Sequence, residues 1–304
     1  MNHVLDTTES PQRLFHAIQW KRLILGFFVT AILALSVHAV MLQVLHVPYP
    51  SEPMTARVPH VINDMVMLWA AIWLATCLRR RPARPSAVVR IGVLLLLLCC
   101  LNETLRGWFM NGYCTNSPHA FAYFAIGQLP RVVPYAVIAV IAVPASAYLH
   151  KWWQQALGAA LLGLLLSFAL PPFSAWIDTA IVARFADWAP TEGWCQLPYG
   201  WDVLIPAYLT FIVEPAVACL FCMAYASRGL NGRPWVRAVM FMLLILALKR
   251  QLLTAIFYTI YTPLPPMTAL GSMGQFSLEA AVLGFLMAFS WRYASACDSY
   301  EAVR

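Results

Sequence analysis

Apolar residues dominate eight long stretches of this chain, near 22–46, 59–79, 88–112, 119–149, 155–183, 201–226, 235–261 and 267–291. A helix needs about 20 mostly apolar residues to cross the hydrocarbon core of a bilayer. Backbone polar groups at that depth must be satisfied within the segment, so each stretch reads as a helix. The sequence therefore predicts an all-α membrane protein with about eight transmembrane helices. Composition points the same way. Of 304 residues, 61% are hydrophobic and 11% charged, against about 25% charged in a typical soluble domain. So few charges would leave a water-facing surface dry. Pro171-Pro172 falls inside the fifth stretch and predicts a break there, because two backbone donors are lost. The first stretch follows a polar segment carrying Asp6 and Glu9, and it runs on past a possible cut after Ala39. It reads as a retained span rather than a cleaved leader.

Lysine and arginine set the expected orientation. With the N-terminus inside, the cytoplasmic segments hold Arg13, Lys21, Arg22, Arg79, Arg80, Arg81, Arg84, Arg90, Lys151, Arg228, Arg233, Arg237, Arg292 and Arg304. The outer loops hold only Arg57 and Arg184. This positive-inside bias predicts a multi-pass protein of a bacterial inner (plasma) membrane with both termini cytoplasmic. The basic run Arg79-Arg80-Arg81 with Arg84 makes anionic lipid headgroups the natural partner at that face. Nucleic acid is not expected as a partner. Other membrane proteins are, given how little chain lies outside the bilayer. Cys114 and Cys195 both fall in outer loops, where an oxidising environment predicts a disulfide. Cys219 and Cys222 lie inside an apolar stretch and read as helix packing.

The chain also matches itself. A shift of 147 residues brings Pro59 onto Pro206, Arg90 onto Arg237, Thr115 onto Thr262, Pro118 onto Pro265, Gly127 onto Gly274 and Gln128 onto Gln275. Proline, glycine, glutamine and arginine matches at one offset carry more weight than leucine on leucine. They predict two tandem four-helix units, 1–150 and 151–304. An even number of spans per unit makes the repeat parallel, related by an axis along the membrane normal.

Ionisable residues inside the bilayer are costly and face a bundle interior or a wet cavity. Glu103, Arg106, Arg131, Glu214, Lys249, Arg250 and Glu279 all fall within spans and form the candidate ligand-binding set. Glu103 and Arg106 are three apart and share a helix face. The repeat suggests one clamp per unit, Glu103 with Arg131 and Arg250 with Glu279. The bland alternative is that all of these residues are structural ion pairs. Among them cations exceed acids by a single charge, a weak preference for anions. No cofactor or metal site is expected. His60 and Asp64 share a face and are joined near the outer surface by His46 and His119, but no familiar zinc spacing occurs. His38 reads as a hydrogen-bonded packing residue. No phosphate loop, dinucleotide fingerprint or nucleophile elbow is present. The leading expectation is transport or binding of a polar or anionic solute or lipid headgroup in a charged cavity between the units. The alternatives are a membrane-embedded enzyme acting on a lipid-linked substrate from outside, with catalytic residues unknown, and a non-catalytic subunit or sensor.

Overall fold

The computed structural model describes residues 18–80 and 85–295. Asp6, Glu9, Arg13, Arg81, Arg84 and Arg304 lie outside the described residues. The described chain is helical, with a single isolated bridge between Thr115 and Gly193. Its helices are α1 (Trp20–Gln43), α2 (Arg57–Arg79), α3 (Ala87–Leu101), α4 (Thr104–Tyr113), α5 (Ala120–Ile126), α6 (Leu129–Tyr148), α7 (Trp152–Ala180), α8 (Trp201–Phe211), α9 (Val217–Ala226), α10 (Pro234–Leu248), α11 (Thr254–Tyr261) and α12 (Pro266–Ser295). A 3-10 turn, Val182–Trp188, follows α7, and a π-turn, Ile212–Ala216, joins α8 to α9.

Six helices are long and apolar enough to cross a membrane: α1, α2, α5 with α6, α7, α8 with α9, and α12. The pair α3 and α4 makes a seventh if a bend of 43° is allowed within one span. The stretch expected as a span over 235–261 divides into α10, of 15 residues, and α11, of 8. Length and composition thus support six or seven crossings rather than the eight expected. Exposed Leu25, Val29 and Leu33 on α1, Ile205 and Leu209 on α8, and Val213 in the π-turn after it make a large apolar surface. They suit lipid.

Helix α2 lies at the centre, packed on α6, α7 and α10, while α1 runs along α12. Small residues allow the close approaches that membrane helices use. A Cβ on Gly163 of α7 would stand 2.8 Å from the Met65 Cα of α2. Gly26 of α1 sits as closely on Ser290 of α12, beside a Thr30–Ser290 hydroxyl bond of 3.0 Å.

The break expected at Pro171-Pro172 does not form. Helix α7 continues through both prolines for 29 residues. The fixed proline φ is itself helical; the cost is two lost donors and the crowding of each ring against the carbonyl four residues back. Contacts on both sides hold the helix together: Ser167 Oγ reaches Asp64 of α2 at 3.1 Å, and Ser174 Oγ reaches the Pro130 carbonyl of α6 at 3.3 Å.

A subset of the described arginines, among them Arg22, Arg79, Arg80, Arg90 and Arg237, sits at the helix ends away from the disulfide, whereas Arg57, Arg106, Arg131, Arg184 and Arg250 lie elsewhere. Arg22 lies over Tyr293, Arg79 donates to the Ala147 carbonyl and Arg237 to that of Ser227. The opposite end carries a disulfide between Cys114 and Cys195, with an S–S distance of 2.08 Å.

Candidate functional site

Two helix breaks meet in the middle of the bundle. Helix α3 stops at Leu101, and Glu103 takes a left-handed turn (φ 57°) before α4 resumes at Thr104. Helix α10 stops at Leu248, and Arg250 takes the same turn (φ 57°) before α11 resumes at Thr254. Neither turn is made by glycine, so each costs on the order of 1–2 kcal/mol and needs its surroundings to hold it. A helix end leaves carbonyls without partners. The Asn102 side-chain amide donates to the Leu248 carbonyl at 3.1 Å and, beside its own backbone N–H, to that of Leu98 at 2.8 Å. It thereby ties the two breaks together.

The buried charges close on one another around these breaks. Glu103 accepts from Lys249 Nζ at 2.5 Å through one oxygen and from Arg106 through the other. Lys249 also lies 3.7 Å from Glu279. Arg250 pairs with Asp64 of α2 at 2.5 Å. Glu214 makes no ion pair among the described residues. It sits in the π-turn before Pro215, whose missing N–H prevents a regular α-turn there. Its carboxylate accepts the backbone N–H groups of Leu105 (2.8 Å) and Arg106, capping the positive end of α4.

The expected clamps, Glu103 with Arg131 and Arg250 with Glu279, are not made. The left-handed turns aim the Glu103 and Arg250 side chains across the bundle. Glu103 meets Lys249, and Arg250 meets Asp64, so these two pairs join the first half of the chain to the second.

Beside this network lies a cavity of about 670 Å³. One face of α4 forms a wall through Glu103, Arg106, Gly107, Met110 and Asn111, ending at Cys114. That is the i, i+3, i+4, i+7 stripe of a helix, about 16 Å long. Helix α1 supplies Leu35, His38, Ala39 and Leu42, and α8 supplies Val203, Leu204, Ala207 and Tyr208. Cys195 and Tyr199 flank the disulfide end. Of the candidate set, Glu103, Arg106 and Arg131 line the cavity. Glu214, Lys249, Arg250 and Glu279 do not; they belong to the network and cap behind it. Arg131 is exposed and has no ion-pair partner among the described residues.

Several cavity groups escaped the sequence reading. Tyr49 and Tyr199 lie in connecting segments, and Tyr208 carries no charge to draw notice. His38 was visible only as a packing residue. Its Nε2 lies 3.0 Å from Tyr49 Oη, while its Nδ1 is buried without a partner. Burial first, then the neighbouring Tyr199, pushes the Tyr49 hydroxyl above its ordinary range and keeps its proton in place. The Ser36 and Tyr208 hydroxyls meet at 2.8 Å, linking α1 to α8. Asp64 was noted beside His60, yet its partners are Arg250 and Ser167. His60 instead contacts the Met54 carbonyl, and His119 stacks on Trp188. Among the described residues no three His, Cys, Asp or Glu side chains gather as a metal site.

Fold and composition together define a multi-pass helical membrane protein, with a core of paired charges and a polar-floored cavity beside it. Comparison with protein-family models, with curated proteins and with solved structures gives no match.

Proposed function

We propose that the protein binds an anionic ligand, a solute or a lipid headgroup, in this cavity from the outer side of a bacterial inner membrane, as the entry step of transport. The observation that carries the reading is Arg131. It lines the cavity as a cation without an acid, while the charges behind it are paired. The orientation rests on the arginines at one end and the disulfide at the other, which suit a cytoplasmic and an oxidising face. Arg79, Arg80, Ser86 and Arg90 border a recess of about 650 Å³ at the arginine end, a fitting seat for anionic headgroups.

The eight-span, two-unit reading belongs here too. Helix α3 (Ala87–Leu101) and α10 (Pro234–Leu248) begin and end at the same 147-residue offset, and Glu103 and Arg250 take the same φ. Counting α10 and α11 as one broken span, like α3 and α4, restores two sets of four. A catalytic Glu103 is the less supported reading, since both its oxygens are engaged by cations.

Thiol labelling tests the proposal. Ala207→Cys places a thiol in the cavity wall. In intact cells a membrane-impermeant anionic thiosulfonate should modify it faster than a cationic one, and Arg131→Gln should erase the difference. No modification from outside, or no charge preference, would refute the reading.

A further inference from the structure

The cavity's walls and its charged end differ in character. Glu103, Arg106 and Arg131 supply the charge. The α1 and α8 walls supply Leu35, Leu42, Val203 and Leu204, with Met110 across from them on α4. A volume of about 670 Å³ lies within the range of small-molecule sites, roughly 300–1,000 Å³. Filled with water alone, it would hold about twenty molecules at roughly 30 Å³ each. Many of those would lie against leucine and valine, where they lose hydrogen bonds. A small inorganic anion would displace few of them. A ligand with an apolar body would displace most, gaining about 0.8 kcal/mol per buried methylene.

Two residues of the lining each carry a buried polar atom that is left over. His38 Nδ1 and Arg106 Nε are buried without partners, and both residues line the cavity. His38 is only 7% exposed. Its Nε2 is taken by Tyr49, so Nδ1 is the atom left for a ligand. Buried polar atoms without partners are rare and call for an explanation. A polar headgroup between His38 and the Arg106–Arg131 side would satisfy them once the two side chains turn, since neither atom is open to the cavity in this conformation. The back faces of α1 and α8 carry exposed apolar residues such as Val40 and Ile205, so one helix separates the apolar wall from lipid.

From these features we infer that the ligand is an anionic amphiphile, with its charged headgroup at Arg106, Arg131 and His38 and its apolar body along α1 and α8. This rests on the anion-binding reading above and narrows it to a substrate class. Such an amphiphile has two sources, the surrounding bilayer or the aqueous phase.

The test uses the full-length protein in phosphatidylcholine nanodiscs, with binding corrected for empty discs. The probes are octyl phosphate, inorganic phosphate and octyltrimethylammonium. Octyl phosphate should bind at least about tenfold tighter than inorganic phosphate, the equivalent of burying about two methylene groups. Arg131→Gln and His38→Ala should each weaken it several-fold, and the melting temperature of the unliganded variants checks that they fold. Equal binding of octyl and inorganic phosphate overturns the amphiphile inference and leaves the anion reading standing. Binding of octyltrimethylammonium as tight as octyl phosphate overturns the anion reading instead. If none of the probes binds, the inference falls, while the charge preference in thiol labelling still judges the anion reading independently. Discs doped with phosphatidic acid separate the sources. A lipid ligand competes with octyl phosphate from within the disc, and a water-borne one does not.

Discussion

Lys249 stands between two carboxylates, Glu103 and Glu279, with 6% of its side chain exposed. Removing it leaves Glu279 buried without an ion-pair partner among the described residues. Lys249→Met should therefore cost about 3–5 kcal/mol, seen as a lower melting temperature in mild detergent or as failure to accumulate. Lys249→Arg keeps the charge and should cost less. Arg131→Gln is the contrasting case. It removes an exposed cation without an ion-pair partner, so stability should stay within about 0.5 kcal/mol. A large loss of stability there would make Arg131 part of the frame. The sequence displayed every one of these charges but not their partners. Pairing depends on where Glu103 and Arg250 point, and that is set by left-handed turns at residues that seldom make them. No glycine or proline marks either turn.

Helix α4 begins against the Glu214 carboxylate rather than a capping side chain of its own. Glu214→Gln keeps one acceptor oxygen but turns an amide donor toward the second N–H. The expected cost is about 1.5–3 kcal/mol, with faster hydrogen exchange at Leu105 and Arg106 as the local readout. Unchanged exchange would mean that α4 holds its start without Glu214. At this scale the long helices were legible from hydropathy alone, and their division was not. The apolar run over 88–112 hides the bend at Glu103. Pro171-Pro172 advertises a break that neighbouring helices suppress. Local signals fail here because tertiary contacts at Asn102, Asp64 and Ser174 decide whether a helix continues. The cavity face of α4 had a sequence signature, the stripe from Glu103 through Arg106 and Met110, but the facing walls on α1 and α8 look like any lipid-spanning helix.

The whole molecule turns on whether α10 and α11 cross the membrane together. Eight spans place 227–233 inside and 262–265 outside. A periplasm-dependent phosphatase fused after Arg228 should be inactive, and one fused after Pro263 active. Activity at neither site would make the α10–α11 pair re-entrant and end the reading of two matched units. Breaking the disulfide with paired Cys114→Ser and Cys195→Ser substitutions should leave the helical core intact, since its buried cluster lies among the spans. It should raise thiol labelling at Ala207→Cys severalfold by loosening the segment that carries Cys195 and Tyr199 beside the cavity. The ion pair between Glu103 and Lys249 also has a consequence for how the chain is made. The two residues are 146 positions apart, so at about 5–20 residues per second Glu103 is synthesised roughly seven to thirty seconds before Lys249. Arg106, three residues along, is translated almost at once and sits on the same oxygen pair. It is the companion that lets an acid wait in the membrane for a partner not yet synthesised.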